Sequence, residues 1–185
     1  MKKIVLVVLQ ACLATWLAAS FSAIAQSPDP EKTNPVTFFD VAQLPVRVDE
    51  PKLGRNDKGF VLDGAVANRS GEQLMGIRLI LLVIDSSGKL RSRTTWTERV
   101  EVAMYSIKTV TFHPEIEVEP RTADQIFLGI EEVFGQQTIW RASGAEKALR
   151  AYARGQHDVV PTVRTIVNSY DPRPGMSVLP PIRWQ

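Results

Sequence analysis

The stretch FVLDGAVANRSGEQLMGIRLILLVID, residues 60–85, decides the fold of this chain. Its first part, Phe60 to Asn68, is rich in strand formers, and Arg69-Ser70-Gly71-Glu72 reads as a turn. Leu74 to Asp85 follows, with Ile77, Leu79, Ile80, Leu81, Leu82, Val83 and Ile84 in an almost continuous apolar run. Such a run suits either a buried helix or a strand covered on both faces. Its β-branched content and the turn residues at both boundaries select a central strand. Asp85-Ser86-Ser87-Gly88-Lys89 then predicts a tight connection, with Gly88 suited to positive φ.

Outward from this pair, short strand signals recur without a helical period. Val36 to Val41 is rich in β-formers, and Leu44 to Val48 continues past Pro45, which confines that segment to an edge. Pro51 to Gly59, with Gly54, Asn56 and Asp57, reads as a turn-rich connection. Leu90 to Val100 alternates, with Leu90, Ser92, Thr94 and Trp96 on one face and Arg91, Arg93 and Thr95 on the other. Tyr105 to Phe112, Asp124 to Phe134 and Gln136 to Arg141 complete the series. Ile116 to Pro120 is a loop or short edge that puts Glu115, Glu117 and Glu119 toward solvent. This spacing predicts an all-β fold, an immunoglobulin-like two-sheet sandwich of about seven strands over residues 36–142.

After Trp140 the character changes. Ser143-Gly144-Ala145-Glu146 matches a capping box, and Ala145 to Ala153 are strong helix formers with Gly155 as a stop. A short helix over 143–155 is expected, docking through Leu149 and Tyr152 because ten residues are marginal alone. Residues 156–185 read as an extended tail: Val159 to Val167 with Pro161 has an edge-strand signature, and Pro172, Pro174, Pro180 and Pro181 lead to Trp184.

The segment Gly64 to Gly71, with Asn68-Arg69-Ser70-Gly71, then Leu74, Ile77 and the run through Val83-Ile84-Asp85 to Gly88-Lys89, resembles the FxLYD-type sandwich domains of bacterial envelope proteins. The likeness covers about residues 60–112, with Val83-Ile84 where that family has Leu-Tyr. It implies a sandwich fold and an envelope module, and the family brings no catalytic residues.

The chain opens with Lys2-Lys3, an apolar run from Ile4 to Ala19, and Ala23-Ile24-Ala25. That is the three-part pattern of a secretory signal peptide over residues 1–25, cleaved near Ala25, with 26–35 as a disordered linker. The expected location is periplasmic or secreted. Ile4 to Ile24 left uncleaved is long enough to span a bilayer, so the expected membrane contact is through an uncleaved leader alone. Leu9-Gln10-Ala11-Cys12 is a loose lipobox, but apolar residues follow Cys12 where a polar tether is needed. Cys12 is the single cysteine, so the mature chain holds no disulfide or cysteine-ligated metal.

Lys2 and Lys3 account for the formal charge of +2. Residues 27–140 hold 13 basic and 17 acidic residues, and residues 141–185 hold seven basic and three acidic. No overall field draws the mature chain to nucleic acid, whereas its basic end suits its own acidic body or an acidic partner. Chemistry-bearing residues are sparse. His113, near Glu115 and Glu117, and His157, beside Asp158, lack the paired spacing of a zinc site, and there is no nucleophile elbow or phosphate loop. No metal, cofactor or catalytic set is expected. The sequence predicts an exported, non-catalytic binding or assembly module contacting another envelope protein through its tail, with Val163, Ile166 and Trp184 as contact candidates. The alternative is an envelope enzyme with a site assembled in space around His113 or His157.

Overall fold

The apolar alternation becomes strands almost throughout. The computed structural model describes residues 33–167, and these contain β1 (Asn34–Phe38), β2 (Val46–Asn56), β3 (Gly59–Asn68), β4 (Leu74–Ile84), β5 (Leu90–Glu98), β6 (Ile107–Phe112), β7 (Gln125–Gly135), β8 (Thr138–Ser143), α1 (Ala145–Tyr152) and β9 (Thr162–Val167). The strands join in one curled sheet in the order β5-β4-β7-β1-β2-β3-β6, with β8 beside β7 and β9 beside β8. Among the described residues the fold is all-β with one short helix; eight of the nine strands lie within residues 34–143, where about seven were expected, and the ninth is the edge strand expected after Pro161.

β1 is the joint of the curl. Asn34 and Pro35 pair antiparallel with Leu53 and Lys52 of β2, while Val36, Thr37 and Phe38 pair parallel with Ile126, Phe127 and Leu128 of β7. Asn34 and Pro35, expected in the linker, therefore belong to the sheet; a proline at the start of a strand loses no needed ladder donor. The core shared by the two arms contains Leu53, Leu62 and Phe112 from one and Leu79, Leu81, Leu128 and Ile130 from the other.

β4 lies between β5 and β7, as its apolar run predicts. Leu79, Leu81 and Val83 enter the main core, while Ile80, Leu82 and Ile84 join Phe127 and Leu149 in a second cluster. β3 and β4 do not pair as a hairpin. β3 pairs with β2 and β6, so the turn after Asn68 carries the chain from one arm to the other.

Three local expectations are overturned. Pro51 to Asn56 is strand, not connection: Glu50 adopts φ 48 in a bulge between Asp49 and Lys52, which takes Pro51 out of the ladder. Gly64 sits opposite that bulge, where a Cβ would lie 3.0 Å from Val48 Cγ1. Leu90 and Trp96 face opposite ways, because a bulge between Val83 and Ile84 pairs Leu90 with Ile84 but Ser92 with Val83. Leu90 thus packs on the second cluster and Trp96 on the main core.

The capping box does not form either. Ser143 is the last residue of β8, paired with Thr162, and Gly144 at φ 84 caps α1 with no side-chain bond. The Glu146 carboxylate accepts from Arg93 and Arg150 instead of reaching back. The C-terminus is a Schellman motif: Gly155 at φ 75 donates to Tyr152 O and Gln156 donates to Ala151 O. Leu149, fully buried, packs near Gly129 and Ile80, and Tyr152 packs against Phe39 and Phe127. The tail then returns to the sheet as β9. Residues 1–32 and 168–185, which carry the expected leader, most of the linker and the far tail with Trp184, lie outside the described residues.

Candidate functional site

Two places on the curl gather the residues singled out in the sequence. The first is the seam where its ends approach. β5 and β6 terminate the strand order, and the segment after β6 runs beside β5, where Thr94 Oγ1 donates to Glu115 O at 2.9 Å. A cleft of about 450 Å³ opens there, lined by residues that include Trp96, Glu98, His113, Glu115 and Glu117. Burial pushes the Glu98 carboxyl above its ordinary value, and the nearby His113 works against that shift. Trp96 Nε1 and Thr95 Oγ1 are buried there with no hydrogen-bond partner among the described residues.

This seam brings His113 to carboxylates and threonine hydroxyls but not into a relay, since His113 makes no hydrogen bond to a described residue. His157 is elsewhere, its ring 5.0 Å from that of Tyr152 at the end of α1. The two histidines belong to separate sites. Glu115, Glu117 and Glu119 are exposed as expected, on a loop rather than a strand, and Glu119 pairs with Arg55 at 3.1 Å. Among the described residues no three His, Cys, Asp or Glu side chains are grouped to hold a metal ion.

The second place is the outer edge formed by β8 and β9. Among the described residues β9 pairs with β8 alone, and five of its six residues are exposed. Val163 lies opposite Ala142 and packs on the main core, so this contact candidate is committed to the chain's own fold. Ile166 is 41% exposed opposite Ile139, and Val167 and Val160 are more exposed still. Val160 and Val167 were missed in the sequence; the signal was the β-branched run itself, which has more apolar residues than one buried face can take.

A register row crosses this part of the sheet on the face away from the core: Arg78 of β4, Glu132 of β7, Arg141 of β8 and Arg164 of β9 stand directly opposite one another in turn. Arg78 pairs with Glu131 at 3.2 Å and Arg141 with Glu132 at 2.5 Å. Burial raises the Glu131 carboxyl above its ordinary value, opposed by Arg78 and Arg93. The Arg164 side chain has no ion pair or hydrogen bond among the described residues, and it stands opposite another arginine. Beside this row, α1 is tied to β5 by Glu146. Burial would raise its carboxyl, but hydrogen bonds from Arg150 and Arg93 outweigh that and hold it below its ordinary value.

Among the described residues no helix is long and apolar enough to cross a membrane. Comparison with family models, curated proteins and solved structures found no match.

Proposed function

We propose that this chain is an exported, non-catalytic binding or assembly module of the cell envelope, with an immunoglobulin-like sandwich core of FxLYD type, that contacts a partner protein through its C-terminal edge and tail. The observation that carries the reading is β9: among the described residues an outermost strand with one neighbour, exposing Ile166 and Val167. An edge strand with free backbone groups and apolar side chains is a template for strand addition. Natural edges of this kind are usually blunted, and keeping one exposed suits a contact surface.

The core needs residues up to Val167, because β9 covers β8 and Val163 packs inside. Removal of residues 168–185 therefore separates contact from stability. Expected is an unchanged melting temperature together with loss of the partner recovered by crosslinking in the native envelope. A large fall in melting temperature overturns the reading, as does full recovery of the partner both by this shortened chain and by its Ile166→Lys variant. Export is tested separately: the N-terminus of the mature protein is expected at Gln26.

The seam supports a second reading, an envelope enzyme acting at His113, because a cleft of about 450 Å³ sets this residue among Glu98, Glu115 and Glu117. Labelling by a hydrolase-directed probe that disappears in His113→Ala would favour it over the binding module.

A further inference from the structure

Resting on the reading of β9 as the contact edge, we infer that the edge recognises an acidic, extended segment, one that carries a carboxylate and, two residues along, a large apolar side chain. The inference follows from two neighbouring register rows. In the first, the signs run plus at Arg78, minus at Glu132, plus at Arg141, then plus again at Arg164. Like charges directly opposite across a strand pair are unfavourable, and opposite charges are favourable. Both available carboxylates are taken, Glu131 by Arg78 and Glu132 by Arg141. A strand joining the open side of β9 sets its own residue beside Arg164, and a carboxylate there completes the alternation.

The second row lies two residues away on the same face: Phe134 of β7, Ile139 of β8 and Ile166 of β9. It is apolar throughout and ends on the exposed Ile166. The residue that extends it is apolar for the same reason. The period of two along a strand fixes the pattern as carboxylate, any residue, large apolar residue, in either chain direction.

Other occupants fit less well. A second copy pairing β9 with β9 brings two further arginines to a seam that already has an excess. The chain's own residues 168–185 carry prolines at 172, 174, 180 and 181, which withhold ladder donors, and two arginines at 173 and 183.

The test uses the full chain and eight-residue alternating peptides with Glu and Ile two positions apart, the same peptides with Lys for Glu, and two versions N-methylated along one edge or the other. Expected is saturable binding of the Glu peptide about tenfold tighter than the Lys peptide. Arg164→Glu should invert that order and Arg164→Gln should abolish the difference. Methylation of one edge should remove binding while methylation of the other leaves it. Equal binding of Glu and Lys peptides, no binding of either, indifference to Arg164→Glu in a folded variant, or equal effects of the two methylations overturns the inference. Sedimentation as a dimer, or binding that requires removal of residues 168–185, overturns it in favour of the other occupants. None of these measurements needs the native partner. Capture of an envelope partner without peptide selectivity therefore sinks the acidic pattern alone, while partner capture that survives both tail removal and Ile166→Lys sinks the broader reading.

Discussion

Asn68 shows how one side chain can hold a crossing between the two arms. It is 3% exposed, and its Nδ2 donates to the carbonyls of Glu72, Val102 and Ala103 while its Oδ1 accepts from Ser70 N and Ser70 Oγ. Both ends of its amide are engaged, so Asn68-Arg69-Ser70 is a structural turn that ties the two arms together. Asn68→Ala strips a donor from three carbonyls that each keep one other, from Ser70 Oγ, Leu74 N and Ser106 Oγ, and leaves the buried Ser70 N–H without its acceptor; a loss of about 1–3 kcal/mol in urea unfolding is expected. Two glutamates carry opposite pH signatures. Glu98, raised by burial, favours the folded state when protonated: its contribution is complete below the ordinary value of 4.5 and is lost as pH rises through the raised folded value. Glu98→Gln should therefore melt slightly higher than the parent at neutral pH, by under about 1 kcal/mol, and the gap should close on acidification. Glu146, held low by Arg150 and Arg93, contributes above 4.5 and loses that contribution as pH falls through its lowered folded value. Glu146→Gln should melt lower at neutral pH by a similarly small amount and match the parent in acid.

At the scale of elements, α1 depends on docking. Eight residues with a glycine cap cannot persist alone, and the contact of Leu149 with Gly129 and Ile80 supplies the missing stability. Leu149→Ala should cost about 2–4 kcal/mol and remove hydrogen-exchange protection from α1 before β4 loses any. The helix itself was legible in Ala145 to Ala153 and in Gly155. Its start was misread because Ser143 spends its backbone in the β8–β9 ladder, a use that no local motif announces. β4 was legible as a central strand because both of its alternating faces are apolar. The pairing of Leu90 with Trp96 on one face failed for a smaller reason: one bulge inverts a period of two, and a bulge leaves no reliable mark in a single sequence. The same limit hid the charge row. Arg141 and Arg164 become neighbours only through register, whereas the edge character of β9 was readable from Pro161 and its β-branched run. The seam cleft was hidden because it joins β5 to the loop after β6 across the curl.

For the molecule as a whole, β1 is the connection on which the curl depends. It is five residues long, yet it is the strand through which the β2-β3-β6 arm joins the β7-β4-β5 arm in the sheet. Deleting Asn34–Phe38 should split one cooperative thermal transition into two, read by Trp96 fluorescence in a Trp140→Phe, Trp184→Phe background for the β5 side and by circular dichroism for the rest; a single unaltered transition would show that the core alone holds the arms together. The sheet's remaining outer strands are unequal. β6 and β9 are each six residues long and each exposes an isoleucine, Ile107 and Ile166; β6 also carries Lys108, a common device against unwanted pairing, whereas β9 adds the exposed Val167. The dual pairing of β1 also sets a timetable. Val36 pairs with Ile126, ninety residues later in the chain. At synthesis rates of about 5–20 residues per second, β1 waits on the order of ten seconds for that partner to emerge. Until then the newborn chain has an unfinished seam, and a chaperone that covers strand edges has a window in which to act.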